Sequence, residues 1–79
     1  MWKGKYMTKL YLSRNTRNLR QRRGLTLIEL AEKARVSQSY LSKLENGKIK
    51  EPGVRAVLKI AEAFDTSIEH LCFGKITPW

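Results

Sequence analysis

Gln38, Ser39, Ser42 and Lys43 fall on one stripe of a helix, at spacings that bring side chains together on a single face. Their types suit the edges of base pairs. Glutamine can bond adenine N6 and N7 in bidentate fashion, lysine can reach guanine O6 and N7, and serine can bond several edges. Leu41 and Leu44 lie on the opposite stripe, which turns the polar stripe outward. Taken alone, such a stripe reads first as an ordinary solvated helix face. What holds it decides between the two.

Ser37 stands at the start of this segment as an N-cap, and Asn46-Gly47 ends it with a residue suited to positive φ. Another helix precedes it. Thr26-Leu27-Ile28-Glu29 is a capping box, in which the hydroxyl takes a backbone N–H and Glu29 reaches back. Its inner face is Leu27, Leu30, Ala31 and Ala34, and Arg35-Val36 forms a short turn into the next helix. Ala31 is small enough for a close crossing, and Val36 plugs the turn. Two short helices joined by a tight turn are the helix-turn-helix arrangement, whose second helix enters the major groove.

The remaining segments support this pair. A first helix is expected from about Ser13 to Arg23, capped by Ser13 and stopped at Gly24, with Leu12, Thr16 and Leu19 on one face. Lys48 to Glu51 reads as a polar loop. Pro52 favours a fresh start for a fourth helix with an apolar stripe of Val54, Val57, Leu58, Ala61 and Phe64. Asp65-Thr66-Ser67 breaks the chain before a short fifth helix carrying Ile68, Leu71 and Cys72, capped by Ser67. Strand-type alternation is absent, so the expected class is all-α, a compact five-helix bundle. The expected domains are a basic arm at 1–11, the helix-turn-helix domain at 12–74 and a short tail at 75–79.

Charge points to the kind of partner. Residues 1–23 carry eight lysines and arginines and no acid, whereas the rest holds eight bases against seven acids. So concentrated a positive field implies a polyanion, either nucleic acid or an anionic surface. A membrane-surface peptide would need a broad apolar face beside the basic one, and the first helix is polar outside Leu12 and Leu19. The apolar runs are far shorter than a membrane span. No apolar stretch follows the basic start, so no signal peptide is expected. One histidine and one cysteine leave no Ser/His/Asp set and no metal-ligand cluster. An enzyme, a cofactor, a metal and a small-molecule ligand are therefore not expected. Cys72 reads as a small buried hydrophobe, and a lone thiol fits a reducing cytoplasm.

From about Ser13 to Gly74 the chain resembles the helix-turn-helix domains of the phage repressor and Cro type, the Xre family, which have a lambda-repressor-like fold. The resemblance is carried by NTRNLR at 15–20, GLTLIELAEKA at 24–34, VSQSYLSKLENG at 36–47, Pro52, Ile60-Ala61 and SIEHL at 67–71. SKSYLS-like recognition helices occur in sporulation and biofilm repressors of Gram-positive bacteria, so a bacterial, plasmid or phage regulator is implied. By position, the resemblance implies base reading by Gln38, Ser39, Ser42 and Lys43. It implies phosphate contacts by Thr26, Asn46, Lys48 and Lys50, with Arg14 as a weaker candidate. Thr26 also has a direct reason, since a helix N-terminus offers N–H groups and a positive dipole end to a phosphate. Leu27 stands where many members have Gln, and Arg35 where many have Gly.

Other residues admit two roles. Glu45 is expected to pair with an arginine of the first helix, Arg20 by preference, rather than to read bases. Tyr40 fits either a core edge or a phosphate contact. His70 is expected to be exposed. Trp2 and Trp79 could pack on the core, on each other, or in a dimer interface. One recognition helix covers half a site, so a homodimer on a near-palindrome is expected. Its interface is expected to use Phe73, Ile76 and Trp79, with Ile68 and Leu58 beside them. The rival function is a protein-interaction module with a regulatory protein partner, an antitoxin or anti-repressor target, for which only the short tail offers a partner-binding segment.

Overall fold

The described residues form five helices, the segments that connect them and a short tail after the last: α1 Gly4–Arg22, α2 Leu27–Ala34, α3 Gln38–Glu45, α4 Val54–Ala63 and α5 Ile68–Phe73. The computed structural model describes the backbone of residues 4–79 and the side chains from residue 11 onward. Trp2 lies outside the described residues. Among those described, no helix is long and apolar enough to cross a membrane.

Four helices end in one motif. At each, a residue one or two past the helix takes positive φ and donates to the carbonyl three back, while the next donates to the carbonyl five back. These pairs are Gly24 with Leu25, Arg35 with Val36, Gly47 with Lys48 and Asp65 with Thr66. Leu25 and Val36 then pack on the core, which fixes the chain's exit direction. Gly24 and Gly47 adopt φ of 68° and 72° without penalty. Arg35 at φ 58° and Asp65 at 55° carry a Cβ in the same region. Replacing Arg35 with Gly is expected to stabilise the fold by about 1 kcal/mol. Its side chain is exposed, and its carbonyl, which accepts from Lys59 Nζ at 3.5 Å, stays in place. Thermal melting checks this. A rise of about 4–8 °C is expected for a domain of this size, and a fall would show that the Arg35 side chain stabilises the fold.

Three helix starts match their expected caps. Thr26, Ser37 and Ser67 each accept a backbone N–H through the hydroxyl, from Glu29, Tyr40 and His70 respectively. Thr26 N–H in turn donates to Glu29 Oε1 at 2.8 Å, completing the box. The start of α1 differs from expectation. The helix begins at Gly4, so Ser13 lies inside it rather than capping it, and the backbone read as an arm is helical from Gly4. No proline and no second glycine interrupts residues 5–23, and most are good helix formers.

The core is Leu12, Leu30, Leu41, Leu44, Ile60, Phe64 and Leu71, all fully buried, with Ala31 and Ala61 at close crossings. Each large side chain contributes roughly 1.5–3 kcal/mol. In α4 the inward stripe is Val57, Ile60, Ala61 and Phe64. Val54 and Leu58, expected on it, are exposed, because Val54 overhangs the helix start and Leu58 is turned off the stripe. α1 packs against α3 and α5, α2 against α3 and α4, and α4 against α5.

Asn15 joins α1 to the end of α5. It is fully buried, and its Nδ2 donates to Leu71 O at 2.9 Å and Gly74 O at 2.8 Å. Without it, each buried carbonyl would lose a partner, at about 1–3 kcal/mol apiece. One turn along, Asn18 Nδ2 donates to Ile76 O at 2.9 Å. That bond draws the tail onto α1 and seats Ile76 in the core, 4% exposed. Ile76 is therefore withdrawn from the expected interface surface, whereas Phe73 and Trp79 stand exposed at 58% and 85%.

Candidate nucleic-acid interface

α3 is anchored from two sides. Leu41 and Leu44 reach the core beneath it, and Glu45 is buried at its last turn. A carboxylate with only 4% of its side chain exposed needs a counter-charge. Arg20 supplies it: Nε donates to Oε2 at 2.8 Å and Nη2 to Oε1 at 3.1 Å. Arg20 Nη1 also donates to Leu25 O at 3.0 Å, so one guanidinium ties α1, the turn before α2, and α3. The expected Glu45–Arg20 pair is thus present, and Glu45 is occupied structurally.

With that side locked, the stripe expected to read bases faces outward. Gln38, Ser39 and Lys43 are exposed and Ser42 is half-buried. Ser37 and Thr26 lie at the exposed starts of α3 and α2. Beyond α3, Asn46, Lys48 and Lys50 are exposed. Asn46 is held on both sides, its Nδ2 donating to Ser42 O at 2.9 Å and its Oδ1 accepting from Arg17 Nη2 at 2.8 Å.

Two of the residues expected at phosphates are placed elsewhere. Tyr40 packs against the core, and its hydroxyl is shielded from solvent without a hydrogen-bond partner. Burial pushes that hydroxyl's pKa up. Tyr40 thus takes the core-edge role of the two open to it. Arg14 stacks its guanidinium 4.7 Å from the centre of the Tyr11 ring and lines a cleft with Asn18, Lys75 and Ile76, beside the tail rather than beside α3. A second α1 arginine besides Arg20 reaches the end of α3: Arg17, one turn on from Arg14, which the sequence had not singled out. Its i, i+3 spacing from Arg20 was the available signal. Arg23 is held away from this surface, donating through Nη2 to Phe64 O at 2.9 Å.

The described residues hold no group of His, Cys, Asp and Glu able to ligate a metal ion. Cys72 is buried, as expected, and burial pushes its thiol up. His70 is exposed on α5, as expected.

Comparison with known proteins gives the same outline. The profile of the helix-turn-helix family matches residues 17–71. The chain is 33% identical over 60 residues to the HTH-type transcriptional regulator SinR of Bacillus subtilis (strain 168), an alignment covering 76% of this chain and 54% of the relative. The SinR of Bacillus licheniformis matches with the same identity and coverage. The chain therefore spans about half the length of the curated relatives it matches. No solved structure gives a significant match.

Proposed function

The chain belongs to the helix-turn-helix family, of the Cro/C1 type, and from that premise we propose that it is a sequence-specific regulator of transcription that binds double-stranded DNA. It acts as a repressor, by occupying a near-palindromic operator as a homodimer. α3 lies in the major groove. Gln38, Ser39, Ser42 and Lys43 read base edges, and Thr26, Asn46, Lys48 and Lys50 grip the flanking phosphates.

The observation that carries this reading is the division of α3 into two faces. Leu41, Leu44 and Glu45 fix the helix to the domain, and the face left outward is made of side chains with groove-reading length and chemistry. The N-terminal starts of α2 and α3 add N–H groups for phosphate. Support for pairing comes from Phe73 and Trp79, large apolar side chains left exposed at the α5 end. A two-fold pair would set two α3 helices about 34 Å apart, one turn of duplex.

Selection from a random duplex pool tests the proposal. The expected product is a two-fold symmetric site whose half-sites are centred about 10 base pairs apart. Enrichment of an asymmetric single site would overturn the dimer, and absence of any enrichment would overturn sequence-specific reading.

A further inference from the structure

The charges around Glu45 do not balance. Its one carboxylate is matched by the two-pronged pair with Arg20, yet a second guanidinium, that of Arg17, stands with Nε 3.7 Å from Oε1. The side chains differ in exposure: 16% for Arg20 and 43% for Arg17. One positive charge is therefore left over at the exposed end of α3, next to Asn46. Arg17's hydrogen bond to Asn46 Oδ1 uses one of its five N–H donors.

We propose that Arg17 is a phosphate-binding residue of the DNA interface, closing the C-terminal end of the recognition helix on the backbone of the duplex. This inference rests on the DNA reading above. Its geometry has two parts. The surplus guanidinium presents a planar fork, the shape that matches a phosphate. By donating to Oδ1 it also fixes the Asn46 amide. One Nδ2–H then goes to Ser42 O, which leaves the amide a second N–H donor. Arg17 and Asn46 form one cradle, supplied from α1 and α3 together. Arg20 has no such role, because its guanidinium is committed to Glu45 and Leu25 O, and Arg23 has none because its guanidinium is drawn to Phe64 O, away from α3.

Binding of the full chain to a random-sequence duplex and to the selected site, measured from about 50 to about 200 mM salt, tests this. Arg17→Gln is expected to make the log–log salt slope shallower by about 0.9, one phosphate fewer. It should weaken both duplexes by the same factor and leave the melting temperature of the protein close to the parent's. Arg17→Lys, which keeps the charge, is expected to keep the parent slope. A parent slope that is steep but unchanged in Arg17→Gln would overturn this inference alone, showing that Arg17 acts within the fold. So would an Arg17→Gln chain that fails to fold. A parent with no salt dependence at all would overturn the DNA reading itself, and the inference with it.

Discussion

Replacing Arg20 with Met is expected to remove about 3 kcal/mol of stability, the low end of the range for breaking a buried ion pair by deleting one partner. The loss arises from what remains. Glu45 stays inside the domain with 4% of its side chain exposed, and its two hydrogen bonds from Arg20 are gone. Arg17 is still 3.7 Å away and compensates in part, which argues for the low end. Leu25 O loses its donor as well. Small domains have about 5–15 kcal/mol in total, so the change is a large share and should lower the melting temperature by more than about 10 °C. Urea unfolding measures it directly. Met fills much the same space as the Arg stem, so packing loss is a small part of the effect. The control is the double change Arg20→Met with Glu45→Leu, which leaves no buried charge and is expected to recover most of the loss. A loss below about 1 kcal/mol for Arg20→Met would place the pair among surface ion pairs and sink the claim that it locks α3.

Much of this arrangement could be read from the chain because it is written in local chemistry. Thr26 with Glu29, Ser37 and Ser67 announce helix starts through hydroxyls that serve the next turn. Gly24 and Gly47 announce ends because they take positive φ without penalty. The outward face of α3 was readable as the complement of Leu41 and Leu44. What escaped is of a different kind. The breaks at Arg35 and Asp65 were readable, but that Asp65 ends its helix at positive φ by the same two hydrogen bonds as the glycines was not, since it lacks the residue that signals it. The early start of α1 has neither a capping hydroxyl nor apolar periodicity to mark it. Asn15 is a polar residue whose burial depends on carbonyls at positions 71 and 74, far along the chain. Ile76 reads as an exposed tail residue until Asn18 draws its backbone onto α1. Arg17 is one of several arginines on α1, and which of them meets α3 is set by the crossing of two helices. Pairings across long sequence separations decide these positions, and no local pattern encodes them.

Changing Gln38 and Lys43 together to Ala is expected to strip most of the sequence preference from the protein while leaving it folded and able to bind DNA. Both side chains are exposed, and neither contributes to the core. Ala is the strongest helix former, so α3 should persist. Each good base contact is worth about 1–3 kcal/mol of discrimination, and separated contacts add roughly. The double change should therefore cost about 2–6 kcal/mol on the selected site. On random duplex the loss should be far smaller, because the phosphate grips proposed for Thr26, Asn46, Lys48 and Lys50 are left unchanged. The salt slope should soften by no more than the single charge of Lys43. The single changes separate the two readers: Gln38→Ala should relax one position of each half-site, and Lys43→Ala another. Repeating the selection with each variant shows which bases each side chain reads. If the double variant kept both its affinity and its site, the outward stripe of α3 would be a solvated face after all. Specificity would then have to come from outside α3, with the starts of α2 and α3 and the loop at 48–50 gripping the backbone alone.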